Sequence, residues 1–272
     1  MPRTKHSDQT AVDVSADVAD ARTATAIGKV AAVVEALASE RRIADIAKTT
    51  GLAGSTVHRI LRELVDLGWA RDDGERGYLL GARLLSLAGQ ASNRNTLSRI
   101  AHPILRDLGA RTGHTVHFAL LSGDEAVYID KIEGRGSYHM RSRIGLAIPL
   151  HCTAIGKAIL AAMSDEELRA TLDRTGAERR TEHTITDRAA LVAHLAGVRT
   201  RGYAVDDEEN ELHTRCIGTV VIDHRGLPLG GISLSALAFD LARDRVDRVA
   251  SLVVGAGVAV SQAIGGLDAA DS

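Results

Sequence analysis

Ile43-Ala-Asp-Ile-Ala-Lys-Thr-Thr-Gly-Leu-Ala-Gly-Ser-Thr-Val-His-Arg-Ile-Leu61 decides the reading of the N-terminal third. Ile43, Ile46 and Ala47 mark a short helix that stops at Thr49-Thr50-Gly51, where glycine suits a left-handed cap. After this break Val57, Ile60, Leu61, Leu64 and Leu67 recur at helical spacing and form one apolar stripe. Gly54 or Ser55 is expected to cap that helix and Gly68 to stop it. Working outward, Ile27, Val30, Val34 and Leu37 share one face of a preceding helix. On the other side, Trp69-Ala-Arg71 and Tyr78-Leu-Leu80 flank the turn-rich stretch Asp72-Asp-Gly-Glu-Arg-Gly77, a hairpin pattern. Three helices followed by a hairpin is the order of a winged helix-turn-helix. A further helix from Gly81 to about Ala91, carrying Leu84, Leu85, Leu87 and Ala88, leads out of this domain to a boundary at Ser92-Asn-Arg-Asn95.

The rest of the chain alternates strands and helices. Val116, Phe118 and Leu120 alternate as a strand, with Glu125 to Ile132 as its hairpin partner. His139 to Arg143 and Ala147 to Leu150 are strand candidates, and a short strand is expected at Tyr203-Ala-Val205. Thr153 to Ala162, Asp165 to Leu172, Asp187 to Arg201 and Asp244 to Ile264 read as helices. Arg215 to Asp223 and Leu227 to Ala236 read as a second hairpin. Antiparallel hairpins separated by helices point to an α+β sensor-like domain rather than a doubly wound sheet. The division expected is a disordered tail over 1–20, a winged helix-turn-helix over 21–83, a linker helix over 84–95, an effector-binding domain over 96–266 and a tail over 267–272.

Composition bounds the function. Of 272 residues, 45% are apolar and only 3% aromatic, so the core is built from Ala, Val, Leu and Ile. A net charge of -2 excludes a generally basic coat but not a local basic patch. Cys152 and Cys216 are too few for a disulfide framework and fit a reducing cytoplasm. Met1 to Asp20 lacks the apolar segment of a signal peptide, and Leu252 to Val260 is far short of the ~20 residues that span a bilayer, so no membrane partner is expected.

Charge is concentrated where a recognition helix meets DNA. Residues 41–62 hold five cations against one anion, whereas residues 1–90 as a whole hold 12 of each. Such a patch supplies phosphate affinity, and the start of the second helix of the motif reaches base edges. Ser55, Thr56, His58, Arg59 and Arg62 lie off the apolar stripe, with Arg42 and Lys48 on the helix before it. Arg59 suits bidentate pairing with guanine, and Arg71 and Arg76 sit on the wing. The charge alone equally describes a solvated helix face; the motif order favours double-stranded DNA as the partner.

These residues carry a resemblance. Ile43 to Leu61 closely resembles the helix-turn-helix of the IclR family of bacterial transcriptional regulators. Further resemblances lie in Tyr128-Ile-Asp-Lys-Ile-Glu133, Pro149-Leu-His-Cys-Thr-Ala-Ile-Gly-Lys-Ala158, Thr184-Ile-Thr-Asp187, Arg201-Gly-Tyr-Ala-Val-Asp-Asp-Glu-Glu209 and Arg215-Cys-Ile217. Together they cover roughly residues 21 to 265. The resemblance implies a winged-helix domain, a linker helix and a GAF-like α/β effector-binding domain. It also implies a homodimer, often paired into a tetramer, that controls a nearby operon, more often as a repressor, in response to a small carboxylate or aromatic metabolite.

A ligand pocket has its own signal in the spacing. Along Gly231-Ile-Ser-Leu-Ser-Ala236, Ile232, Leu234 and Ala236 take one side of a strand and Ser233 and Ser235 the other. Two hydroxyls on one face suit a carboxylate, although by themselves they equally describe the solvent side of a strand. Thr153-Ala-Ile-Gly156 opens a helix whose free N–H groups favour an anion. In the resembled family, small-acid effectors bind at the positions of Ala154, Ile155, Asp206, Cys216, Ser233 and Ser235. The chain departs from the pattern at Ile155, bulkier than in some members, and at Glu211-Leu-His213.

Other chemistries leave weaker traces. Gly156-Lys157 resembles the end of a phosphate loop, but His151 stands at the first glycine position and Ala158 replaces Ser/Thr. His213 with Cys216, and His151 with Cys152, are candidate metal ligands only if the fold joins them. A small-molecule enzyme using Cys216 needs an adjacent histidine and an activated thiol. A winged helix also serves as a protein-interaction module. The reading adopted is a non-enzymatic regulator that needs neither cofactor nor metal.

Overall fold

A computed structural model describes residues 25–93, 96–136 and 140–265. The expected tails, 1–20 and 267–272, lie outside the described residues. The chain divides into two compact units, residues 1–94 and 95–272.

In the first unit α1 (Ala26–Ala36), α2 (Ile43–Thr50) and α3 (Gly54–Asp66) precede a two-stranded wing, β1 (Ala70–Asp72) and β2 (Tyr78–Leu80), and then α4 (Ala82–Asn93). Val57, Ile60, Leu61 and Leu64 of α3 are buried against Ile46 of α2, Val33 and Ala36 of α1, and Leu37 that caps α1. The expected face of α1 is met in part: Leu37 is buried and Val34 packs against this core beside Val33 and Ala36, while Ile27 is 83% exposed and Val30 is also exposed. Ala26–Ala36 is apolar almost all round, so hydrophobic periodicity alone does not phase it; contact with α2 and α3 does. Gly51 closes α2 in the left-handed region at φ 68°. The cap of α3 is Ala53, one residue before the expected Gly54 or Ser55, and it makes no side-chain cap bond. The wing is rooted on the helix pair, since Tyr78 N donates to Arg41 O at 2.8 Å. Gly77, at φ 90°, lies so close that a Cβ there would collide with Arg41 O.

In the second unit all strands pair antiparallel in one six-stranded sheet of order β5-β4-β3-β8-β7-β6. The strands are β3 (Thr115–Ser122), β4 (Glu125–Ile132), β5 (Ala147–Pro149), β6 (Ala204–Asp207), β7 (Thr214–Ile222) and β8 (Pro228–Leu237). The two expected hairpins are present, and β3 to β8 pairing fuses them. Residues 140–143 form no strand and His139 is outside the described residues. The short strand runs further than expected and contains Asp206.

One face of this sheet carries α5 (Thr96–Thr112) and α9 (Val246–Ala263), which bury Leu105, Leu108, Val253 and Val260 on Val116, Phe118, Ile232 and Leu234. The other face carries α6 (Ala154–Ala162), α7 (Asp165–Thr175) and α8 (Arg188–Arg201), with Ile159, Leu168, Leu191 and Leu195 in that core. The segment Arg243–Ala263 is long and apolar enough to cross a membrane by length and composition. Its Val246, Ala250, Val253, Ala256 and Val260 stripe belongs to the core, which marks it as a core helix.

Candidate functional site

In the first unit the basic residues singled out in the sequence reach solvent. Ser55, His58, Arg59 and Arg62 are exposed along α3, and Thr56 is half-buried. Arg42 precedes α2, Lys48 is in its last turn, Arg71 lies on β1 and Arg76 at the wing tip, all exposed. Arg59 pairs with Glu63 at 3.1 Å, and Arg71 with Asp73 at 3.5 Å. Both pairs face water, where an ion pair contributes about 0–1 kcal/mol, so a phosphate or base edge displaces the carboxylate at little cost. With an alanine cap, the first turn of α3 keeps backbone N–H groups open to an anion.

In the second unit Ala154, Ile155, Asp206, Cys216, Ser233 and Ser235 all line one cavity of about 110 Å³. Strand register assembles it. Asp206 is paired with Cys216, and Cys216 with Ser235, so these three form a row across β6, β7 and β8. Ser233 and Ser235 are buried on the α6 side of the sheet, while Ile232 and Leu234 fill the opposite core. Two glycines bring α6 down onto this row. A Cβ on Gly156 would collide with the Leu150 backbone, and one on Gly218 would come within 2.7 Å of Ala154 C. Thr153 caps α6 by accepting from Gly156 N at 3.0 Å.

Several lining residues escaped the sequence reading: His117, Tyr128, Arg141, Ser142, Asn210 and Thr214. His117 alone had a legible signal, because it alternates with the core residues Val116 and Phe118 and must point to the other face. The segment from 140 to 146 comes over the cavity from a part of the chain without periodicity. Lys131 Nζ holds it, donating to Met140 O at 3.0 Å and Ser142 O at 2.8 Å.

Charge inside the cavity is set by burial. Asp206 is pushed up to about 7 by desolvation, which Lys157 opposes and Glu209 reinforces. Its Oδ1 accepts from Glu209 N and Asn210 N. His117 is lowered to about 3, first by burial and then by Lys131, and is therefore neutral. Burial also raises the Cys216 thiol, with Asp206 adding to it, and takes Cys152 to about 12. The shift in Cys216 is opposite to that of an activated nucleophile. Cys216 stands in a polar wall beside Ser235 and Asp206.

Lys157, the residue after Gly156, reaches no phosphate-loop position. It is fully buried and donates to Val205 O at 2.6 Å and to the Glu209 carboxylate. His213 lies on an exposed turn at φ 65°, and His151 Nε2 is 2.9 Å from Glu178 O. Among the described residues no three of His, Cys, Asp and Glu come together as a metal site.

The Asp206 shift has a measurable sign. Its folded value lies above the ordinary carboxylate range, so its contribution to stability is present below about pH 4 and is lost as pH rises toward 7. Asp206→Asn keeps the Oδ1 acceptor. It is expected to be more stable than wild type at pH 8, by on the order of 1 kcal/mol or more, with a flatter pH profile. Urea unfolding at pH 5 and pH 8 measures this; identical profiles would remove the buried charge from the account.

Comparison with known proteins identifies the chain. The family model for the bacterial transcriptional regulator IclR C-terminal domain matches residues 89–262, and that for the IclR helix-turn-helix domain matches residues 26–74. The chain belongs to the IclR family.

Relatives in that family agree along most of their length. The HTH-type transcriptional regulator XynR of Escherichia coli is 37% identical over 229 residues, 84% of this chain and 91% of XynR. The transcriptional repressor IclR of Escherichia coli is 34% identical over 228 residues, 83% of each chain. The crystal structure of the Thermotoga maritima IclR superposes with a TM-score of 0.69 at 31% identity, covering 88% of this chain and 98% of that one. IclR-family proteins are DNA-binding transcriptional regulators, not enzymes, and this chain is one of them.

Proposed function

We propose that the chain binds a specific operator through α3 and the wing, and that a small acid in the cavity of the second unit modulates this binding. The observation that carries the reading is the convergence of Asp206, Cys216, Ser233, Ser235 and the start of α6 on one buried cavity. Its floor offers two hydroxyls and the first-turn N–H groups of Ala154 and Ile155, a donor set that suits a carboxylate. For DNA the support is the exposed set Arg42, Lys48, Ser55, His58, Arg59, Arg62, Arg71 and Arg76, with Thr56 beside them.

The active species is proposed to be a cytoplasmic homodimer, or a tetramer of two dimers. Ile27 and Val30 on α1, and Leu85 and Leu87 on α4, are exposed apolar side chains that a second copy would cover. Two recognition helices then read two half-sites. Effector binding favours one arrangement of the assembly over another, and a coupling of about 1–3 kcal/mol suffices for a working switch. Repression is the favoured direction, in keeping with the repressor among the relatives.

The test is a titration of the protein against its own upstream intergenic DNA at two salt concentrations, beside unrelated DNA of equal length. Tight, discriminating binding is expected; equal, weak and salt-sensitive binding to both overturns the regulator reading. The same assay with added small acids then tests the cavity. Ser233→Ala with Ser235→Ala is expected to weaken the acid response by about tenfold or more and leave operator affinity unchanged. A full response in that double variant would take the serines out of the site.

A further inference from the structure

His117 belongs to none of the family motifs in this sequence, yet its ring forms part of the cavity wall. It is buried on β3 with its Cα paired to Ser233. Three neighbours hold the ring in place. Nε2 is 2.7 Å from Ser142 Oγ, Nδ1 is 3.4 Å from Ser235 Oγ, and Tyr128 lies against it with ring centroids 4.7 Å apart and planes tilted by 31°. A neutral imidazole has one donor and one acceptor nitrogen, so it satisfies one hydroxyl on each side without placing a charge in the cavity. Held in this way, the ring does not turn aside for a larger guest.

The space left is small. The cavity measures about 110 Å³. An engineered apolar cavity that binds benzene measures about 150 Å³. We propose that His117 sets the size limit of the effector, admitting carboxylates of a few carbons and excluding aromatic acids. The assignment rests on reading this cavity as the effector site. A short acid places its carboxylate on Ser233, Ser235 and the start of α6, with its remaining atoms against Ile155 and Ile148. Removing the imidazole, itself a ring, opens a ring-sized space beneath Tyr128, whose face then offers a stacking surface.

Calorimetric titration of the full chain with acetate, pyruvate and benzoate tests this, on wild type and on His117→Ala, His117→Ser and His117→Phe. Wild type is expected to bind the short acids and to disfavour benzoate by about tenfold or more. The alanine and serine variants are expected to gain about tenfold or more in benzoate affinity, and the phenylalanine variant, which keeps a ring in place, to gain none. Thermal melts check folding, and serine keeps a hydroxyl beside Ser142 and Ser235 should alanine fail to fold. Benzoate binding wild type as well as pyruvate does overturns the assignment. So do folded alanine or serine variants that stay closed to benzoate while wild type binds the short acids. A wild type that binds no acid, yet binds its operator specifically, overturns both the assignment and the cavity reading beneath it.

Discussion

Arg59→Ala is expected to lower affinity for the specific operator by about ten- to hundredfold per recognition helix, while affinity for unrelated DNA changes by only a few fold. A bidentate arginine–guanine contact is worth about 1–3 kcal/mol of discrimination, whereas one phosphate contact among many contributes mainly to the salt slope. In a dimer both helices lose the contact, and the effect compounds. The fold should be untouched, because the side chain is exposed and its pair with Glu63 is a surface i,i+4 pair worth about 0.3–0.5 kcal/mol. Anisotropy titrations on operator and unrelated DNA, with sedimentation to check oligomer size, separate the outcomes. Operator affinity equal to wild type would take Arg59 out of the interface. Arg59→Lys is informative beside it: it keeps the charge but not the planar fork, and should lose specificity while retaining the salt dependence.

Lys157→Met is expected to destabilise the second unit by about 3–5 kcal/mol, the range for removing one partner of a buried ion pair. Lys157 is fully buried, and its ammonium is tied to Val205 O and the Glu209 carboxylate. Methionine fills similar space but strands Glu209, whose Oε2 already lies buried without a partner. Lys157→Met with Glu209→Leu should recover most of the loss, because the cost comes from the uncompensated charge rather than from a cavity. The same ammonium anchors β6, the strand that carries Asp206, so the single variant should also lose its response to acids. Urea unfolding reads the stability, and a loss below about 1 kcal/mol would show that water or another group takes over the role of the lysine.

Most elements were legible because their signals are local. Gly51 and Gly202 end helices at φ 68° and 78°, where the sequence places a glycine after a periodic run. The Ser233/Ser235 alternation assigns each residue to the correct side of β8, since side chains in a strand alternate regardless of context. The failures share a cause as well. The α1 face is legible only in part, for Leu37 and Val34 but not for Ile27 and Val30, because Lys29 and Glu35 are too few polar residues to set the phase of so apolar a helix. His139 to Arg143 is a strand candidate in the sequence, but in the described part, residues 140–143, Lys131 and His117 hold the chain as an irregular segment over the cavity.

The sequence by itself determined a winged helix-turn-helix with exposed cations on its second motif helix, an antiparallel sheet flanked by helices, and the family to which both belong. Each follows from periodicity, turn chemistry and short motifs, which act over a few residues. Only the tertiary structure decided that β3 joins β8, that Asp206, Cys216 and Ser235 stand in one row, and that His117 and Ser142 close the wall around them. It also decided that Lys157 turns inward to Glu209 rather than outward to a phosphate. Register between distant strands, and the burial that neutralises a histidine or raises an aspartate, depend on which segments meet. That is a property of the packed chain rather than of any window along it.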